Sequence, residues 1–101
     1  MQGCDIVHLD IPKSGGLLES KRIHDIAENS FIATAAHNPA SPIGTMASCQ
    51  AAASMRDFRV HEHGPIIKDG YLTIRDKPGL GLEINPDVAK KNLAPGETWW
   101  G

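Results

Sequence analysis

Residues 5–16 read Asp5-Ile6-Val7-His8-Leu9-Asp10-Ile11-Pro12-Lys13-Ser14-Gly15-Gly16, and the fold class turns on this stretch. Ile6, Val7, Leu9 and Ile11 form a nearly continuous apolar run, the pattern of a mostly buried strand. Lys13-Ser14-Gly15-Gly16 then supplies turn chemistry. From Leu17 to Asn29 the period changes: Ile23, Ile26 and Ala27 recur at helical spacing, while Glu19, Lys21, Arg22, Asp25 and Glu28 cover the other faces. Glu19 with Arg22 and Lys21 with Asp25 are helix-compatible charge pairs. Asn29-Ser30 closes the helix.

Outward from this unit the same order recurs. Residues 31–36, FIATAA, predict a second buried strand, broken by His37-Asn38-Pro39-Ala40-Ser41-Pro42. Ile43 to Met55, rich in Ala, Met and Gln, predicts a second helix with small residues for close packing. Phe58 to His61 is a third short strand. Residues 1–63 therefore predict strand–helix–strand–helix–strand, an α/β arrangement of parallel strands with right-handed crossovers. From Gly64 the character changes. Pro65-Ile66-Ile67, the Asp69-Gly70 turn and Tyr71-Leu72-Thr73-Ile74 predict a β-hairpin-like return over residues 64–101. Pro78-Gly79-Leu80-Gly81 is a rigid turn, Pro86 to Lys91 one short helix, and Trp99-Trp100 should pack on this chain or on a partner.

Composition narrows the function classes. The chain has 101 residues, with 10 Lys+Arg against 12 Asp+Glu and a net charge of −2. That balance gives no electrostatic case for nucleic acid. No apolar run approaches the roughly 20 residues of a membrane span. The first ten residues lack the features of a secretory signal. The two cysteines, Cys4 and Cys49, exclude a disulfide scaffold, read as buried thiols and make a cytoplasmic setting the expectation. Aromatics at 5% are thin for a self-sufficient core.

Polar residues recur at the spacing of the strand–helix unit. Asp10 lies at the end of the first strand, His37 just after the second and Glu62 at the end of the third, 27 and 25 residues apart. In parallel α/β folds, the edge formed by strand C-termini is where ligands bind and chemistry occurs. Asp10 and His37 on neighbouring strand ends would make a carboxylate–imidazole pair able to abstract a proton. Glu62 would hydrogen-bond a substrate oxygen or serve as a second acid or base. The bland readings are a helix-capping Asp and a turn His before Asn-Pro. Elsewhere, His61-Glu62-His63 is a weak metal signal, because in a strand His61 and His63 point opposite to Glu62. His8 shares a strand face with Asp10 and reads as packed or as lining the site. His24 reads as solvated, and Lys13 as solvated or facing an acidic substrate. Gly15-Gly16 reads as a tight turn before an anion cradle.

Three strings together resemble a known family: Asp5 to Asp10, Ser14-Gly15-Gly16-Leu17, and Ala36-His37-Asn38-Pro39. They look like the sixth-to-seventh strand region of the enolase superfamily, in its mandelate racemase/muconate lactonising branch, and are most similar to the galactonate-type sugar-acid dehydratases. Phe58 to Glu62 resembles the eighth strand. Asp69-Gly70-Tyr71 and Pro78 to Glu83 resemble the C-terminal segment that returns to the capping domain. The resemblance implies that residues 1–63 are strands six to eight of a (β/α)₈ barrel, and that residues 64–101 pack on a capping domain outside this chain. It implies His37 as the general base or acid at carbon 2 of a hydroxy acid, with Asp10 as its partner. Glu62, together with His37, would bind substrate, holding its carboxylate. Mg²⁺ is implied too, with its acidic ligands on strands three to five and none in this chain. The implied partner is a small-molecule sugar acid, and full-length members of the family are expected to be homo-oligomers. Racemisation or epimerisation is the alternative chemistry, and a non-catalytic remnant the alternative class. The chain alone is expected to be poorly stable and inactive.

Overall fold

A computed structural model describes residues 3–39, 41–61 and 67–100. Its elements are β1 (Ile6–Asp10), α1 (Leu17–Asn29), β2 (Ala33–His37), α2 (Pro42–Ala52), β3 (Phe58–His61) and α3 (Pro86–Lys91). The three strands form one parallel sheet in the order β1-β2-β3.

The β1–α1 turn shows why two glycines follow the first strand. Gly15 and Gly16 hold φ of 94° and 90°, a region costly for residues with a Cβ. The backbone N–H groups of Lys13 and Ser14 donate to the Asp10 carbonyl at 2.9 and 2.7 Å, and Gly16 N–H donates to Ile11 O at 3.1 Å. Ser14 Oγ adds a third bond to the same Asp10 carbonyl, at 2.7 Å. The strand end and the turn are thus one rigid piece. The Glu19–Arg22 and Lys21–Asp25 pairs form on α1.

Several boundaries differ from the sequence expectation: β1 is Ile6–Asp10 rather than 5–11, and α2 ends at Ala52 rather than Met55. β2 begins at Ala33 because Phe31 turns left-handed, with φ of 57°. Ser30, Phe31 and Ile32 donate their N–H groups back to Ala27 and Glu28 carbonyls, finishing α1, and Phe31 is 94% exposed. α2 begins at Pro42, with Ser41 as N-cap accepting from Gly44 N–H at 3.2 Å. Proline suits the first helical position, where no N–H partner is needed.

The register sets the two faces of the sheet. Ile6 pairs with Ala33 and Asp10 with His37; alternation then puts Val7, Leu9, Thr34 and Ala36 on one face and Ile6, His8, Asp10, Ala35 and His37 on the other. The first face is covered. Leu9, Ile11, Ala36, Ala51 and Met55 form the core there, with Val7, Ile23, Ala47 and Phe58 packed around it. The small members, Ala36 of β2 with Ala47 and Ala51 of α2, suit close packing of helix on sheet. The second face is largely open: Ile6 is 52% and Val60 59% exposed. Only Leu9 of β1 is buried, so the expectation of a mostly buried first strand holds for β2, where Ala33 to Ala36 are buried, rather than for β1. Ile26 also departs from its expected core position, at 70% exposed.

Beyond the sheet, one antiparallel bridge joins Lys68 to Tyr71 across the Asp69-Gly70 turn; no longer ladder forms there among the described residues. Asn85 caps α3 by accepting from Asp87 and Val88 N–H. Trp99 and Trp100 stack on each other, with centroids 4.9 Å apart, and Lys90 lies over Trp99 at 5.8 Å. Among the described residues, no helix is long and apolar enough to cross a membrane.

Candidate acid–base site

The in-register pairing of Asp10 with His37 ends β1 and β2 together and brings both side chains to one face. His37 Nδ1 lies 3.0 Å from Asp10 Oδ2, hydrogen-bonding distance. Asp10 is mostly enclosed, at 17% side-chain exposure, whereas His37 reaches solvent at 39%. A base with a half-buried anchor and an accessible ring has the disposition proton transfer requires.

Two further side chains complete this cluster. Lys13 Nζ sits 2.9 Å from the same Asp10 Oδ2. The expectation of a solvated lysine therefore misses its ion pair, although the stem remains exposed. The i,i+3 spacing through a strand-ending turn was the available signal. His8 sets its ring edge-on to His37, with centroids 5.4 Å apart and planes at 88°. It is exposed rather than packed, because the face it shares with Asp10 is the open one. Glu62, the third expected site residue, lies outside the described residues, as does His63 of the His61-Glu62-His63 motif. His61 turns to the helix layer, its Nε2 3.9 Å from Cys49 Sγ.

The Asp10 carboxyl is held below its ordinary value, chiefly by the Lys13 hydrogen bond and next by that of His37, with burial opposing. The consequence for stability has a definite sign. A carboxyl whose folded value is depressed stabilises the fold at pH above its ordinary value of about 4 and loses that contribution as pH falls through the lower folded value. Denaturant unfolding followed from pH 6 to pH 3 should show acid destabilisation in the parent and a flatter profile in Asp10→Asn. Equal slopes would mean that the pair does not couple to folding.

Two other expectations are corrected here. His24 is fully buried, not solvated. Its Nδ1 is 2.9 Å from Thr34 Oγ1, while its Nε2, 3.8 Å from Glu28 Oε2, makes no hydrogen bond; the strand hydroxyl holds a ring that the charged helix surface suggested was wet. Cys4 is exposed, while Cys49 is buried and its thiol is pushed up by that burial. A thiol reagent at neutral pH should therefore label one cysteine of the native protein rapidly and the second only on unfolding. Rapid labelling of both would contradict the packing of α2 on β3.

The described residues do not make a Mg²⁺ site at this cluster. Mg²⁺ requires several oxygen ligands in near-octahedral array, and Asp10, the one carboxylate placed here among the described residues, already carries Lys13 and His37 on one oxygen. Among the described residues, the one grouping of three metal-ligand side chains is His24, Asp25 and Glu28, in the helix layer on the other face of the sheet.

Comparison with known proteins gives this geometry a context. Residues 1–88 match the family described as enolase C-terminal domain-like. The chain is 37% identical to a D-xylonate dehydratase from Haloferax volcanii, over 96% of this chain and 27% of that protein. It is 31% identical to a D-galactonate dehydratase family member from Pantoea ananatis, over 94% of this chain and 27% of the relative. A crystal structure of a mandelate racemase/muconate lactonizing enzyme-like protein from Rubrobacter xylanophilus superposes with a TM-score of 0.84 and 34% identity, covering 96% of this chain and 29% of the other. The chain thus spans about a quarter of the length of the curated relatives it matches.

Proposed function

The chain belongs to the enolase C-terminal domain-like family, and from that premise we propose that it supplies one side of the active site of a sugar-acid dehydratase. In this reading the sheet is the last three strands of a (β/α)₈ barrel, and residues 64–101 pack on a capping domain contributed from outside this chain. The observation that carries it is the Asp10–His37 pair at two adjoining strand ends. The dehydratase chemistry is favoured over racemisation by the names of the relatives. The proposed substrate is a soluble sugar acid, and the proposed setting is the cytoplasm.

The chemistry follows from the pair. With Nδ1–H donating to Asp10, the ring keeps the tautomer whose Nε2 accepts a proton. Nε2 takes the proton from carbon 2 of the sugar acid, and Asp10 stabilises the resulting imidazolium. Loss of the carbon 3 hydroxyl with a proton, as water, leaves an enol that becomes the 2-keto-3-deoxy acid. Glu62 is proposed to hold the substrate carboxylate as negative charge develops on it. Mg²⁺ is proposed as a cofactor of the whole enzyme, held by residues outside this chain, and the described residues here do not fit it.

The test joins this chain to the preceding segment of a sugar-acid dehydratase relative and assays a panel of aldonic acids with Mg²⁺. A 2-keto-3-deoxy product is expected from the joined protein and none from the 101-residue chain alone. Epimerised acid with no loss of water would replace dehydration by the racemase chemistry. Turnover by the isolated chain would refute the division of the site between two segments.

A further inference from the structure

We propose that Lys13 is a positioning residue that keeps the His37 ring available as a base by sharing the Asp10 carboxylate with it. This rests on the acid–base reading of Asp10 and His37. Both nitrogens address one atom: Lys13 Nζ is 2.9 Å and His37 Nδ1 3.0 Å from Asp10 Oδ2. A carboxylate beside an imidazole favours the imidazolium. The lysine cation on the same oxygen has two effects. It keeps Asp10 anionic, so that the carboxylate remains the acceptor for Nδ1–H. It also offsets part of the charge that would hold a proton on the ring.

The placement of Lys13 is built into the backbone. Its own N–H, the N–H of Ser14 and the Ser14 hydroxyl all donate to the carbonyl of Asp10, at 2.9, 2.7 and 2.7 Å. The turn that carries the ammonium is therefore anchored to the residue the ammonium contacts. Its side chain is 72% exposed, so the effect is that of a partly hydrated charge. Among the described residues, the titratable groups around His37 are His8 and Asp10 on β1 and Lys13 in the turn after it. His61 on β3 faces Cys49 in the helix layer.

The test reads the ring directly. In the 101-residue protein labelled with ¹⁵N-histidine, Lys13→Met should raise the pH at which His37 is half protonated by about half to one unit, the scale of a unit charge a few ångströms away in hydrated surroundings. Lys13→Arg should restore the parent midpoint, and the His24 signal should stay in place in both variants as a check on folding. A midpoint for His37 that is unmoved or lowered in Lys13→Met overturns the proposal, as does failure of Lys13→Arg to rescue. In the joined enzyme, the acidic limb of the kcat profile should move by the same amount while KM changes little. If the ring shifts but activity does not depend on His37, the acid–base reading fails and the proposed role of Lys13 in catalysis falls with it. If activity depends on His37 but the ring does not shift, only the Lys13 proposal fails.

Discussion

Replacing His37 with Asn in the joined enzyme is expected to lower kcat by about a thousandfold, within the 10²–10⁴ range typical of a positioned general base. KM should change far less, because the role assigned to His37 is proton transfer. Asn keeps a polar side chain of similar reach at the end of β2, so the sheet should remain intact; far-UV circular dichroism checks this. The expectation depends on geometry more than on residue type. Asp10 and His37 are the last paired residues of their strands, and a one-residue slip in register would send one of them to the helix layer. A His37→Asn protein with parent turnover would remove the ring from the mechanism.

Leu9→Ala is expected to destabilise the fold by about 2–5 kcal/mol, the range for deleting a buried leucine side chain. Leu9 is 5% exposed and belongs to the core cluster with Ile11, Ala36, Ala51 and Met55. Single domains are stable by only about 5–15 kcal/mol, and this sheet has one face largely uncovered, so the variant should lose its cooperative transition in urea. An unchanged midpoint would mean that the Leu9 cluster is not the core.

The sequence was most legible where periodicity and turn chemistry agree. The switch from the apolar run at Ile6 to Leu9 to the helical spacing of Ile23 and Ala27 marks a strand and then a helix, and α1 spans Leu17–Asn29. Asn85-Pro86 similarly marks the start of α3, through an Asx cap followed by proline. Phe31 was misleading because a bulky apolar residue beside Ile32 reads as strand, whereas its left-handed backbone serves the end of α1. Burial was harder still. His24 sits among charges in the chain, and only the sheet reveals Thr34 beside its ring. For the candidate site, the spacing of Asp10 and His37 was visible, and the register explains why their side chains meet. Lys13 escaped because its i,i+3 spacing from Asp10 crosses a strand end, where such spacing pairs side chains only if the turn folds back.

These relations converge on one claim, that Asp10 and His37 act as a unit at the substrate. A double-mutant cycle in the joined enzyme tests it most directly, with kcat measured for the parent, Asp10→Asn, His37→Asn and the double variant. Residues that work through one another give strongly non-additive losses. The double variant should therefore be no slower than His37→Asn alone. Losses that multiply, with the double variant slower by the product of the two single effects, would contradict the account.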